Sequence, residues 1–151
     1  MFSSNKKMIA AYSAVIFFVV LDRFLKILSL SFRDTEINII GEALKFNYQP
    51  NYYIAFSLPL AGRFLNILIT IIVLILIGLV FYYYRRGKYF QSGAASLIAF
   101  GAASNLLDRI KYGSVIDYLD LKYFTVFNLA DLMIVCGTVL FISVSYKKEA
   151  Q

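Results

Sequence analysis

The chain contains no histidine and no tryptophan, a single cysteine, two prolines, and few charges for its length of 151 residues. Without histidine there is no Ser/His or Cys/His nucleophile pair, no HExxH metal site and no imidazole pH switch. One cysteine, Cys136, cannot form an intrachain disulfide, and inside an apolar run it reads as a small core residue. Charged residues make up 16% of the chain, against about a quarter in ordinary soluble domains. What fills the space is apolar: 60% hydrophobic residues and a mean hydropathy of +0.71. The net charge of +6 does not point to nucleic acid, because the basic residues flank apolar runs instead of spreading over a polar face.

Four long apolar runs organise the sequence. Met8–Leu21 is uncharged and stays apolar past Asp22, Arg23 and Lys26 to about Phe32. It reads as a first transmembrane helix and not a cleaved leader, because three charges precede any small-x-small cleavage site. Phe64–Tyr84 and Tyr89–Leu107 are uncharged and are joined by the basic turn Arg85-Arg86-Gly87-Lys88. Tyr123–Tyr146 is interrupted only by Asp131 and is closed by Lys147 and Lys148. The expectation is an all-α membrane protein, a single domain over residues 1–151, with four spans at about 8–28, 64–84, 89–107 and 126–146. The small residues Gly93–Ser96 and Gly101–Ser104 suit close helix packing in the third span. Between spans one and two, alternating β-prone residues around Gly41 predict a small strand-rich cap on the membrane. Its Gln49-Pro50-Asn51 carries a turn signal.

Antiparallel spans bring the unusual polar residues to one membrane face: Asp22 and Lys26, Asn51–Phe56, Asn105, Asp108 and Arg109, and Asn128 and Asp131. Asp117 and Asp120 lie in the segment joining the last two spans on that face. Asp22 and Lys26, at i and i+4, share a helix face; an interfacial ion pair that ends the helix and a functional role fit that spacing alike. The opposite face carries seven of the fifteen Lys/Arg, packed into short segments beside the spans, and reads as cytoplasmic, with both termini. The polar site then faces outward. A carboxylate at the front of an apolar run, such as Asp131, is expensive without a partner or a task. Two carboxylates brought together at a membrane edge can activate water and protonate a leaving group.

The residues Asp22-Arg23-x-x-Lys26, Asn51-x-x-x-Ala55-Phe56, Asn105-x-x-Asp108-Arg109-x-x-x-Gly113-x-Val115-x-Asp117-Tyr118 and Phe127-Asn128-x-Ala130-Asp131 resemble, in order and at the right helix ends, the motifs of lipoprotein signal peptidase (signal peptidase II). The resemblance covers nearly the whole chain. It implies an aspartic endopeptidase of the bacterial cytoplasmic (inner) membrane, with Asp117 and Asp131 as the catalytic dyad. Asn51, Asn105, Asp108, Arg109, Asn128, Asp22 and Lys26 would support the site and hold substrate. It implies no cofactor and no metal, and prolipoprotein signal peptides carrying a lipidated cysteine as substrates, cut by a monomer among membrane lipids. Asp108, beside Arg109, reads as an ionised structural acid. The chain departs from the family pattern at Arg23 (glutamine there), Tyr53 (glycine) and Ser104 (glycine); Tyr53 would narrow the substrate groove. Two other readings remain: a metal-dependent phospholipid head-group transferase, loosely suggested by Arg109, Gly113, Asp117 and Asp120, and a non-enzymatic proton-coupled transporter or scaffold using Asp131.

Overall fold

The computed structural model describes residues 2–52 and 62–149. Tyr53, Ala55 and Phe56 lie outside them, so the aromatic loop expected after Asn51 and the narrowing of the groove by Tyr53 do too. The described residues form four helices, α1 (Phe2–Ser31), α2 (Gly62–Arg85), α3 (Tyr89–Tyr112) and α4 (Leu129–Glu149), with one pair of strands, β1 (Ile37–Ile40) and β2 (Leu44–Asn51), between α1 and α2 and another, β3 (Val115–Leu121) and β4 (Val126–Phe127), between α3 and α4.

The helices have the burial pattern of a soluble protein turned inside out. On α1 the apolar residues Ile9, Ile16, Val20, Phe24 and Ile27 face outward, while Asp22, Lys26 and Ser29 are wholly buried beside Val15. Positions 15, 22, 26 and 29 recur at helical spacing, so one stripe carries the polar groups inward. Such an arrangement is stable where the surroundings are hydrocarbon. Met8–Ser31 of α1 and the whole of α2 are long and apolar enough to cross a bilayer; the apolar part of α4, Leu129–Val144, is shorter.

α3 packs against all three other helices. Its small residues permit this: a Cβ on Gly101 would stand 2.6 Å from the Ala130 carbonyl oxygen, and one on Gly137 of α4 would stand 2.9 Å from that of Ala94. The α3–α4 backbones therefore touch, and the contact at Gly101 lies one residue from Asp131. α3 ends at Gly113, left-handed with φ 78°, whose N–H donates to the Arg109 carbonyl and turns the chain into β3.

The cap differs from the expectation. It draws strands from the α1–α2 and the α3–α4 segments and forms one antiparallel sheet in the order β1-β2-β3-β4. The segment expected to be a loop holding Asp117 is the strand β3. Gln49-Pro50-Asn51 is the end of β2, not a turn, and pairs with Val115–Asp117. β1 reaches only as far as Phe46 on its other side, so among the described residues Pro50 has no strand on that side and its missing N–H costs no ladder bond. Helix bounds shift as well: α4 starts at Leu129 because Val126–Phe127 are taken into the sheet, and α3 runs five residues past Leu107. Cys136 is exposed on the apolar flank of α4 and is not a core residue.

Candidate active site

Where the inner stripe of α1, the end of α3, β3 and the start of α4 converge, the buried polar residues form one connected network. Asp117 on β3 is 2% exposed, and both its oxygens accept from amides: Oδ1 from Asn128 Nδ2 at 2.6 Å and Oδ2 from Asn51 Nδ2 at 3.0 Å. Asn51 reaches it across the β2–β3 ladder, opposite Val115 and therefore diagonal to Asp117 on the same face.

Asp131 is held differently. Asn128 caps α4: its side-chain oxygen accepts the Asp131 N–H at 2.9 Å, while Asp131 Oδ2 accepts the Asn128 N–H at 3.3 Å. This reciprocal pair is a capping box, with the acid at its third helical position. Asp131 Oδ1 accepts from Asn105 Nδ2 at 2.8 Å. One side chain, Asn128, thus touches both acids, donating to Asp117 and accepting from the backbone of Asp131. Burial, and after it the charge of Asp131, pushes the Asp117 carboxyl up to about 6, against the pull of the Asn51 and Asn128 amides. The two carboxylates are therefore close enough to feel each other.

Behind them lies a second layer. Lys26 is wholly buried and contacts Asp108 Oδ2 at 2.7 Å, Asp22 Oδ2 at 3.2 Å and Asn105 Oδ1 at 2.7 Å. The Asp22–Lys26 pair is thus an internal one and not the interfacial pair considered from spacing. Asp108 does not pair with its neighbour Arg109 but with Lys26 and, at 2.6 Å, with Arg23. Its Oδ2 also accepts the Ile116 N–H at 3.4 Å, which ties it to the strand that carries Asp117. Arg109 is half-buried and acts electrostatically on Asp131 and Asp117. Asp120, farther along β3, accepts from Asn47 at 3.1 Å and lines a shallow cavity of about 160 Å³ with Glu42, Lys45 and Lys122, apart from the network.

Sequence reasoning missed three contributors. Two of the departures, Arg23 and Ser104, touch each other: Arg23 Nη1 lies 3.3 Å from both the carbonyl and the hydroxyl oxygen of Ser104. Ser104 Oγ in turn donates to Asp22 at 2.6 Å. They stand behind the two acids, next to Asp22 and Asp108. The third is Tyr118, wholly buried, whose hydroxyl no spacing rule singles out among twelve tyrosines. Among the described residues no group of three or more His, Cys, Asp or Glu side chains is placed to hold a metal ion.

Comparison with known proteins bears on this arrangement. Residues 14–147 match the family model described as "Signal peptidase (SPase) II". A lipoprotein signal peptidase of Halothermothrix orenii is 36% identical over 140 residues, covering 91% of this chain and 96% of that one. Its counterpart in Clostridium novyi is 36% identical, covering 83% and 90%, and that of Syntrophomonas wolfei is 39% identical, covering 81% and 83%. Two solved bacterial membrane enzymes, both determined by the in meso method, share the fold. One, at 2.3 Å resolution, has a TM-score of 0.79 at 24% identity over 93% of this chain and 89% of that one. The other, at 1.9 Å, has a TM-score of 0.73 at 26% identity over 89% and 91%. The family match and the apolar outer faces of its helices place the chain in a membrane.

Proposed function

Because this chain belongs to the signal peptidase II family, we propose that it removes signal peptides from prolipoproteins by aspartic catalysis, with Asp117 and Asp131 as the reacting pair. The observation that carries the reading is the placement of two carboxylates from different elements, Asp117 buried and Asp131 partly buried, on either side of the Asn128 side chain. Counting charges in the network supports it. Asp22, Asp108, Asp117 and Asp131 are four acids; Arg23, Lys26 and Arg109 are three cations. A single proton on the acid pair makes the buried site neutral, which is the state in which one carboxyl can give a proton while the other takes one.

In that state the ionised carboxylate accepts a proton from water as its oxygen attacks the scissile carbonyl carbon. The protonated partner delivers its proton to the amide nitrogen as the C–N bond breaks. The new amine and carboxylic acid leave, and the pair again shares one proton. Asn51, Asn105 and Asn128 keep the acids' remaining lone pairs occupied and their rotamers fixed. Asp22, Lys26 and Asp108 hold these supports from behind, and the half-buried Arg109 meets substrate at the rim. In this reading an apolar signal helix ending at a diacylglyceryl-cysteine reaches the acids from the lipid side, and the enzyme works as a monomer without a cofactor. Cleavage of a fluorogenic lipopeptide precursor is expected to persist in excess EDTA; loss restored by magnesium would favour a metal-dependent head-group transferase instead, and proton flux without cleavage a transporter.

All four helices cross the membrane in this reading, with both termini in the cytoplasm of the bacterial cell and the sheet outside the inner membrane. In a Cys136→Ser background, Lys122→Cys is expected to react with an impermeant thiol reagent added outside spheroplasts, and Lys88→Cys only after lysis. The opposite pattern would reverse the orientation.

A further inference from the structure

The residue after Asp117 is Tyr118, which the mechanism above does not use. Its ring packs on Phe46 of β2, with centroids 5.6 Å apart. Its hydroxyl donates to Asp22 Oδ1 at 3.1 Å and accepts the Leu129 N–H at 3.0 Å. Leu129 is the first residue of α4, two positions before Asp131. The neighbouring Ala130 N–H donates to the same Asp22 oxygen at 3.1 Å. The three leading amides of α4 are therefore claimed by three different parts of the fold: β3 through Tyr118, α1 through Asp22, and the cap residue Asn128.

We propose that Tyr118 is a positioning residue, whose hydroxyl fixes the first turn of α4 against β3 and thereby sets the placement of Asp131 relative to Asp117. This rests on the reading of those two acids as the reacting pair. The path from one acid to the other through Tyr118 contains only stiff parts. A single peptide bond joins Asp117 to Tyr118, a planar ring leads to the hydroxyl, one hydrogen bond crosses to Leu129, and half a helical turn leads to Asp131. Burial, followed by the charge of Asp22, pushes the phenol upward in pKa, so it stays protonated and keeps its donor role. Without the hydroxyl, a buried N–H at the helix start loses its partner and Asp22 loses one of its donors. Phenylalanine occupies the same space without the hydroxyl, so the Phe variant should fold.

The test compares Tyr118→Phe and Leu129→Pro in the full-length enzyme, using the fluorogenic lipopeptide. Proline at a first helical position removes the same N–H while suiting the helix start. Since a misplacement of ~1 Å can cost ~100-fold in rate, each variant is expected to lose about 10-fold in kcat with KM little changed. The bell-shaped pH profile should narrow, because carboxylates held less closely titrate nearer to each other. Combining the two changes should cost no more than about a further 2-fold, as expected of substitutions that break one shared contact. A purely structural tyrosine would lower stability and leave kcat and the profile of the folded fraction unchanged. Wild-type kcat and profile in Tyr118→Phe overturn the proposal; if that variant does not fold, the same result in Leu129→Pro does so. Asp117→Asn and Asp131→Asn are measured alongside. If they are inactive while Tyr118→Phe is normal, the dyad stands and only the positioning role falls; if either is active, the dyad itself fails.

Discussion

Asp117→Asn and Asp131→Asn are each expected to abolish cleavage while the folded protein survives in detergent. An amide can neither take a proton from water nor share one with its partner, so the loss should reach the limit of detection in both cases. The fold survives because asparagine is nearly isosteric and because an ionised carboxylate buried without a cation of its own stabilises nothing. A signature in stability accompanies the loss. In the native protein Asp117 is held at about 6, above its usual 3.8, so the folded state binds this proton more tightly than the unfolded chain. The stabilisation is complete below about pH 4 and is lost as pH rises through about 6, with a total on the order of 3 kcal/mol. Thermal stability of the wild type should therefore fall across that window, and Asp117→Asn should flatten the slope. Asp120→Asn, whose side chain meets Asn47 and not the network, should keep both its activity and the slope. An active Asp117→Asn beside an inactive Asp120→Asn would mean that the wrong carboxylate on β3 had been chosen.

Lys26→Met is expected to be the most damaging substitution for stability. Lys26 is wholly buried and pairs with two carboxylates that are also wholly buried, while donating to Asn105, the residue that holds Asp131. Removing one partner of such a pair leaves uncompensated charge in a low-dielectric interior and costs about 3–5 kcal/mol. Asp108 retains Arg23, so the orphan is chiefly Asp22, left with neutral donors from Ser104, Tyr118 and Ala130. Adding Asp22→Asn to Lys26→Met removes that charge and should recover a large part of the melting temperature, though not activity. A double variant no more stable than Lys26→Met alone would show that the lysine acts through its packing and not through its charge.

Much of the site could be read from the sequence, for a physical reason. A carboxylate or amide inside an apolar run has few explanations, and Asn105, Asp108, Asp117, Asn128 and Asp131 all stand in or beside such runs. The partners were harder to read. Asp108 and Arg109 are adjacent in sequence, but successive residues on a helix point about 100° apart, and the acid turns inward to α1 instead. The Asp22–Lys26 pair was recognisable from its i, i+4 spacing, yet its burial depends on α3 and α4 closing over it. The sheet was half visible: β1 and β2 alternate in a polar segment, whereas in β3 the residues Val115–Tyr118 are buried on both faces and show no alternation. Cys136 shows the converse limit, since an apolar run in a membrane protein does not say which face meets lipid and which meets protein.

The Ala130–Asp22 hydrogen bond joins residues 108 positions apart, and it has a consequence for how the enzyme is made. The start of α4 is held by groups on α1 and β3 that are synthesised earlier, and α4 is the last of the four described helices to leave the ribosome. Until that helix inserts and meets α1, Asp117 has no partner acid, and Asp22 lacks the backbone donor that α4 supplies. If Asp117 and Asp131 are the reacting pair as proposed, that pair forms only once α4 has docked on α1 and β3, and a chain with α4 undocked cannot cut the proteins around it.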